Sequence, residues 1–135
     1  AFFGQKDLQQ LQIVKALVKQ INSPIKIVGV PTIREENGLA KSSRNKLLAK
    51  QAKKEAALIY NCLYYCKNNK EKGIAELKSY IQSQFEKQEN LTLEYAEFVD
   101  LNTMRPIQTW QGENKNAICI AAYHSGVRLI DNIIL

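Results

Sequence analysis

The chain has 135 residues, 45% of them hydrophobic and 24% charged, enough apolar material for a core and too much for wholesale disorder. No apolar run approaches the ~20 residues of a bilayer-spanning helix, and the N-terminus has no signal-peptide pattern, so a cytoplasmic protein without a membrane partner is expected. The net charge of +6 is unevenly placed: residues 1–54 hold 11 Lys/Arg against 3 Asp/Glu, and residues 55–135 hold 8 against 10. A basic first part calls for an anionic partner, whether nucleotide phosphate, nucleic acid or acidic lipid, and charge alone does not choose between them.

The opening "AFF" reads as the end of a strand that begins outside these residues, so a fragment of a longer protein is expected. Leu8, Leu11, Val14, Leu17, Val18 and Ile21 recur at helical spacing, and Pro24 disfavours helix at Ser23, which predicts a helix ending near Asn22. "IKIVGVPTI", residues 25–33, then reads as a strand closed by Pro31. A strand end, a helix and a second strand make the tail of a βαβ unit in a parallel sheet. "REENGLAKSSRN" has turn chemistry at Asn37-Gly38 and no periodicity, and reads as a loop.

A second helix is predicted from about Leu47 to Lys67, with Leu48, Ala52, Ala56, Ile59, Leu63 and Cys66 on one stripe, and a third places Ile74, Leu77, Ile81 and Phe85 inward. Three strands follow, "LTLEYAEFVD", "NAICIAAYH" and "VRLIDNIIL", the last two joined by a tight turn at Ser125-Gly126. They should form an antiparallel sheet covered by two helices, with a domain boundary near residue 36. Cys62, Cys66 and Cys119 are an odd number without secretory context and read as buried reduced thiols; with one histidine and no second Cys pair, Cys62 and Cys66 do not complete a zinc site. Trp110 and the tyrosines are scattered and read as packing rather than as a base-stacking platform.

Two short stretches carry chemistry. "GQKDLQQ" lies between a strand end and a helix, where parallel α/β sheets bind ligands. Gly4 permits close backbone approach, Lys6 is a mobile cation for phosphate oxygens, and Asp7 either caps the helix or accepts from ribose hydroxyls. Gln10, one turn on, offers an amide. In "KSSRN", two hydroxyls beside Lys41 and Arg44 can wrap a polyphosphate, Arg as a forked donor and Lys as a point charge. Each also has a plain reading, as a helix cap with polar surface and as a solvated linker, and neither settles the matter alone.

Together, "FFGQKDLQQLQIVKALV", "IKIVGVPTIREENGLAKSSRNKLL", "LEYAEFVDLNTM" and the terminal "GVRLIDNI" resemble the pantothenate synthetase (pantoate–β-alanine ligase) family over the whole chain, which corresponds to about the C-terminal half of such an enzyme. The resemblance implies an α/β fold in which residues 1–35 are the tail of a Rossmann-like nucleotide-binding domain and residues 36–135 a small α+β lid. It implies that MgATP converts pantoate to pantoyl adenylate and that the β-alanine amine then displaces AMP to give pantothenate. By matching position, Gly4, Gln5 and Asp7 lie at the ATP ribose and its surroundings, Lys6 at the phosphates, Gln10 at pantoate, and the Ile33 backbone at the adenine edge. Lys41, Ser42, Ser43 and Arg44 form the phosphate loop, with Lys6, Ser42, Ser43 and Arg44 as the catalytic set and no metal ligand from this chain.

Gln5 stands where Glu is common, Lys41 where Leu or Met is common, and Ala49 where a Ser or Thr helix cap is often seen. The family's paired-histidine motif is missing, His124 being the sole histidine, so these residues alone are expected to be inactive. A homodimer is implied for the full-length enzyme, and nucleic acid is not an implied partner. The competing reading is a non-enzymatic basic nucleotide- or nucleic-acid-binding module, whose binding would weaken steeply with salt and need no pantoate.

Overall fold

The computed structural model describes residues 1–135. Strand β1 (Phe2–Gly4) leads into helix α1 (Leu8–Gln20), and the chain returns along β2 (Val28–Val30), parallel to β1. This is the βαβ unit expected from the alternation of patterns. The helix ends as the proline requires, with Asn22 turning to φ 52° two residues before Pro24. Strand β2 is shorter than the apolar run suggests. Ala1 lies beside its start, its carbonyl accepting from Val28 N–H at 2.9 Å and its amino group donating to Lys26 O at 2.7 Å, and the paired register runs over Val28–Val30. The apolar stripe of α1 is only partly used. Leu8 and Leu11 are buried, whereas Ile13, Leu17 and Ile21 are 60%, 51% and 62% exposed.

The connection through residues 31–42 is more ordered than its composition predicts. Arg34 and Ala40 form an antiparallel bridge, and Asn37 Oδ1 accepts the Leu39 N–H at 3.0 Å. Gly38 closes the turn at φ 94°, and a Cβ there would lie 2.2 Å from Tyr60 Cδ1, so no other residue fits. Ser43–Leu47 forms a short 3-10 turn where the sequence shows no periodicity. Its anchor is Asn45, buried, with Nδ2 donating to Ala40 O at 3.0 Å.

The long second helix predicted by periodicity is two helices, α2 (Lys50–Ala56) and α3 (Leu58–Asn68). The break is one residue wide, at Ala57, which keeps right-handed helical angles (φ −58°, ψ −20°), and the predicted stripe is buried on both sides of it. Ala49 is the N-cap of α2 and supplies no side-chain bond. Helix α4 (Ile74–Glu86) buries Ile74, Leu77, Ile81 and Phe85.

Strands β3 (Leu91–Asp100), β4 (Asn116–His124) and β5 (Val127–Ile134) form an antiparallel sheet in that order. Ser125 (φ 50°) and Gly126 (φ 79°) make the two-residue hairpin between β4 and β5. One sheet face, with Phe98, Ile118, Ile120 and Leu129, joins the stripes of α2, α3 and α4 in the main core. The other face packs Val99 and Ala117 against Leu8 and Leu11 of α1, and this smaller cluster docks the βαβ unit onto the sheet. Cys62 and Cys66 are free and fully buried, and burial pushes both thiols up to about 12, so they are inert packing groups. Trp110 tilts against Phe98 at 5.8 Å and donates to Lys70 O.

One carboxylate ties stability to pH. Asp100 accepts the N–H groups of Asn102 and Thr103 at 2.9 Å each, and these bonds hold its carboxyl below the ordinary value of 3.8. A depressed folded value stabilises above the unfolded value, and that contribution disappears as pH falls through the folded one. Asp100→Ala is therefore expected to lower the urea midpoint at pH 7, with the gap from wild type closing below the ordinary value of 3.8. A gap that stays constant down to about pH 2 would contradict this.

Candidate functional site

The two stretches that carry chemistry in the sequence face each other. The β1–α1 turn and residues 41–44 line a cavity of about 400 Å³ formed by Lys6, Asp7, Lys41, Ser42, Ser43, Arg44, Arg128 and Ile130. Four cations and one carboxylate face this space, a strongly positive balance for so small a volume. A second cavity of about 430 Å³ shares Lys6, Asp7 and Arg128 and runs between the start of α1 and the sheet, where Gln10, Tyr95, Glu97 and Asn132 join its wall.

Asp7 occupies the N-cap position of α1, yet its side chain makes no capping bond. Of the two roles open to it from sequence, the cap is not used, and the carboxylate is free to meet a ligand. Gly4 has open space on the side where a Cβ would stand, which leaves its backbone approachable. Gln5 donates its N–H to Val30 O at 2.8 Å. Ser42 Oγ accepts the Arg44 N–H at 3.0 Å, which shapes the loop, and the exposed Arg44 guanidinium has one protein partner, the Arg128 carbonyl at 3.3 Å. Ile33 stands apart, 67% exposed and outside both cavities; its carbonyl accepts the Lys41 N–H at 2.8 Å.

Strand β5 connects the two arms of the cleft. Asn132 Nδ2 donates to Gln5 O and Lys6 O, both at 2.9 Å. Asp131 takes Arg34 in a forked pair, at 2.5 Å from Nη1 and 3.0 Å from Nη2. The same guanidinium donates to Gly38 O at 3.1 Å and lies 4.1 Å over the Tyr60 ring. Burial pushes the Asp131 carboxyl up, while Arg34 and the Asn132 N–H pull it the other way. A two-point contact this short is the geometry of an ionised pair.

Arg128 and Asp131 are opposite charges three residues apart on β5, close enough in sequence to suggest a local ion pair. The local pair does not form: Arg128 Nε donates to Glu94 at 2.7 Å, and Asp131 reaches Arg34, 97 residues away. Sequence reasoning missed Arg128 as a wall of both cavities, and missed Asn132 and Arg34 altogether. The available signal was period two along "RLIDN": Arg128, Ile130 and Asn132 share the face toward α1, a polar–apolar–polar row on a buried strand.

A βα turn beside a parallel strand pair, an uncapped helix start, adjacent hydroxyls and clustered cations make a cleft of the α/β kind whose chemistry suits an anionic ligand. Comparison with known proteins narrows the class. Residues 1–134 match the family model described as pantoate-beta-alanine ligase, and the chain belongs to that family. It is 43% identical over 136 residues to a pantothenate synthetase of Christiangramia forsetii, covering 100% of this chain and 48% of the relative. A pantothenate synthetase of Caldicellulosiruptor saccharolyticus is 40% identical, again with 48% of its length covered.

Among solved structures, pantothenate synthetase from Thermus thermophilus superposes with a TM-score of 0.90 at 32% identity, over 98% of this chain and 48% of that one. Pantoate-beta-alanine ligase from Francisella tularensis, complexed with beta-gamma ATP and beta-alanine, gives 0.64 at 32% identity over 98% of this chain and 42% of that one. The chain thus spans about half the length of the curated relatives it matches and fits a C-terminal portion of pantothenate synthetase.

Proposed function

We propose that the full-length protein carrying this chain condenses pantoate with β-alanine at the expense of MgATP, through a pantoyl adenylate. The observation that carries this reading is the meeting of Lys6 and Asp7 with residues 41–44 around one basic cavity. In the first step a pantoate carboxylate oxygen attacks the α-phosphorus, and pyrophosphate leaves with the electron pair of the broken P–O bond. In the second the β-alanine amine attacks the acyl carbon, loses a proton and expels AMP.

In this reading Lys6 sits at the α-phosphate, Lys41, Ser42, Ser43 and Arg44 hold the outgoing pyrophosphate, and Asp7, Gly4 and Gln5 meet the ribose side. Gln10, in the adjoining cavity, orients pantoate so that its carboxylate reaches the phosphorus beside Lys6. Ile33 supplies backbone to the adenine edge when the nucleotide is bound. Charge stabilisation and positioning are the protein's part, since adenylation itself supplies the leaving group that a carboxylate lacks. No group of three or more His, Cys, Asp or Glu lies together here. Magnesium enters with the nucleotide substrate, held by phosphate oxygens and water.

We keep the division at residues 35 and 36 as nucleotide domain and lid, with the enzyme a cytoplasmic homodimer. No helix is long and apolar enough to cross a membrane. Exposed Phe2, Ile13, Leu17 and Ile21 are then covered by parts of the enzyme with no counterpart in this chain. His124 is buried against Glu55 at 2.5 Å and Ser125 at 2.9 Å, away from the cleft; in this reading the nucleotide-binding histidine pair is not among these 135 residues, and they are expected not to turn over alone.

The test is release of AMP and pantothenate by the full-length enzyme from MgATP, pantoate and β-alanine. Release that requires pantoate supports the ligase. Nucleotide or nucleic-acid binding that ignores pantoate and collapses with salt would replace it with the binding-module reading.

A further inference from the structure

We propose that Asn132 is a positioning residue for the cleft: its side-chain amide clamps the carbonyls of Gln5 and Lys6 and so sets where Lys6 and Asp7 enter the site. The inference rests on the ligase reading and extends it to a residue that belongs to neither loop. Asn132 is 3% exposed, and a buried amide persists only where its hydrogen bonds repay desolvation. Both of its donors are spent on one object, the Gln5–Lys6 turn, at 2.9 Å each. Its orientation has no alternative, because a flipped amide would set Oδ1 against two carbonyl oxygens.

The same orientation leaves Oδ1 buried with no hydrogen-bond partner. A position retained for packing alone would be better filled by an apolar side chain of similar volume, without the orphaned acceptor. What the amide supplies is the donor pair.

The consequence for the site follows from peptide geometry. In a trans peptide the C=O and the following N–H point in opposite directions, and no peptide here is cis. Holding the Gln5 and Lys6 carbonyls toward β5 therefore turns the N–H groups of Lys6 and Asp7 the other way, where neither finds an acceptor within the protein. Two free N–H groups, the Lys6 ammonium and the uncapped start of α1 are thereby presented as one anion-binding array. Strand β5 also holds the opposite arm, through the forked pair of Arg34 with Asp131. A single strand thus gauges the distance between the arms, and Asn132 is its contact with the first.

The experiment uses the full-length enzyme and a double-mutant cycle between Lys6→Ala and Asn132→Ala, read as kcat and KM for MgATP at saturating pantoate. Asn132→Ala should lower kcat/KM about 10²-fold, the cost of displacing a reacting group by about 1 Å, and should add less than about 3-fold once Lys6 is already alanine. Asn132→Asp, nearly isosteric but without donors, should lose at least as much as Asn132→Ala, and Asn132→Ser, with one donor, should recover part. Equal losses from Asn132→Ala in both backgrounds, or wild-type kinetics in Asn132→Asp, would overturn the proposal. If Asn132→Ala does not fold, the cycle is run with Asn132→Ser and decides in the same way. Absence of pantoate-dependent turnover in the wild type would instead overturn the ligase reading beneath it.

Discussion

Arg44→Ala in the full-length enzyme is expected to reduce pantoate-dependent AMP formation by about 10²- to 10³-fold, the range seen when one donor to developing transition-state charge is removed. The side chain is exposed and its sole protein contact is the Arg128 carbonyl at 3.3 Å. Deleting it leaves the fold intact, because the Ser42 cap engages the Arg44 backbone N–H rather than the guanidinium. Thermal stability should therefore stay within about 0.5 kcal/mol of wild type, so the loss reads as chemistry. Arg44→Lys should recover part of the rate, since a point charge replaces the fork without its geometry. Turnover and KM for MgATP both unchanged in Arg44→Ala would remove the 41–44 loop from the mechanism.

Arg34→Ala should cost the most stability of any single polar change. It strands the Asp131 carboxylate, which is 3% exposed, with the Asn132 backbone N–H at 2.8 Å as its remaining bond. Breaking a buried pair from one side costs about 3–5 kcal/mol because the remaining charge stays desolvated. The variant should relieve itself by taking a proton on Asp131, so its deficit should shrink as pH falls, through a gain in the variant's own stability. Arg34→Lys should not restore stability, since it cannot bond both carboxylate oxygens, Gly38 O and the Tyr60 ring at once. A paired change, Arg34→Met with Asp131→Leu, should regain most of the loss while removing the ion pair that ties the 31–44 arm to the sheet. Chemical denaturation of the four proteins checks this, and an Arg34→Ala midpoint equal to wild type would contradict it.

What could be read from sequence, and what could not, divides along the range of the interactions. Helix α1, the parallel return to β2 and the bounds of β3 and β4 follow from periodicity and turn residues, all local signals. The buried stripe from Leu48 to Cys66 is equally local, but the break at Ala57 is not, since alanine is compatible with an unbroken helix. The 3-10 turn at Ser43–Leu47 depends on Asn45 reaching Ala40 inside the fold. The exposed Ile13, Leu17 and Ile21 show that an amphipathic stripe reports a demand for burial without naming its partner.

The site divides in the same way. "GQKD" and "KSSRN" are legible because each packs its chemistry into a few consecutive residues. Arg128 and Asn132 are not, because β5 enters the cleft through antiparallel pairing 84 and 127 residues from the groups it contacts.

Pantoate activation at the cleft built by Lys6 and Arg44 is the central step of the proposed reaction. The measurement is exchange of labelled pyrophosphate into ATP by the full-length enzyme with magnesium and pantoate but no β-alanine, in wild type and Arg44→Ala. Exchange that requires pantoate and falls at least about 10²-fold in the variant is the predicted result. Pantothenate formation without any such exchange, or exchange indifferent to Arg44, would contradict adenylation at this cleft.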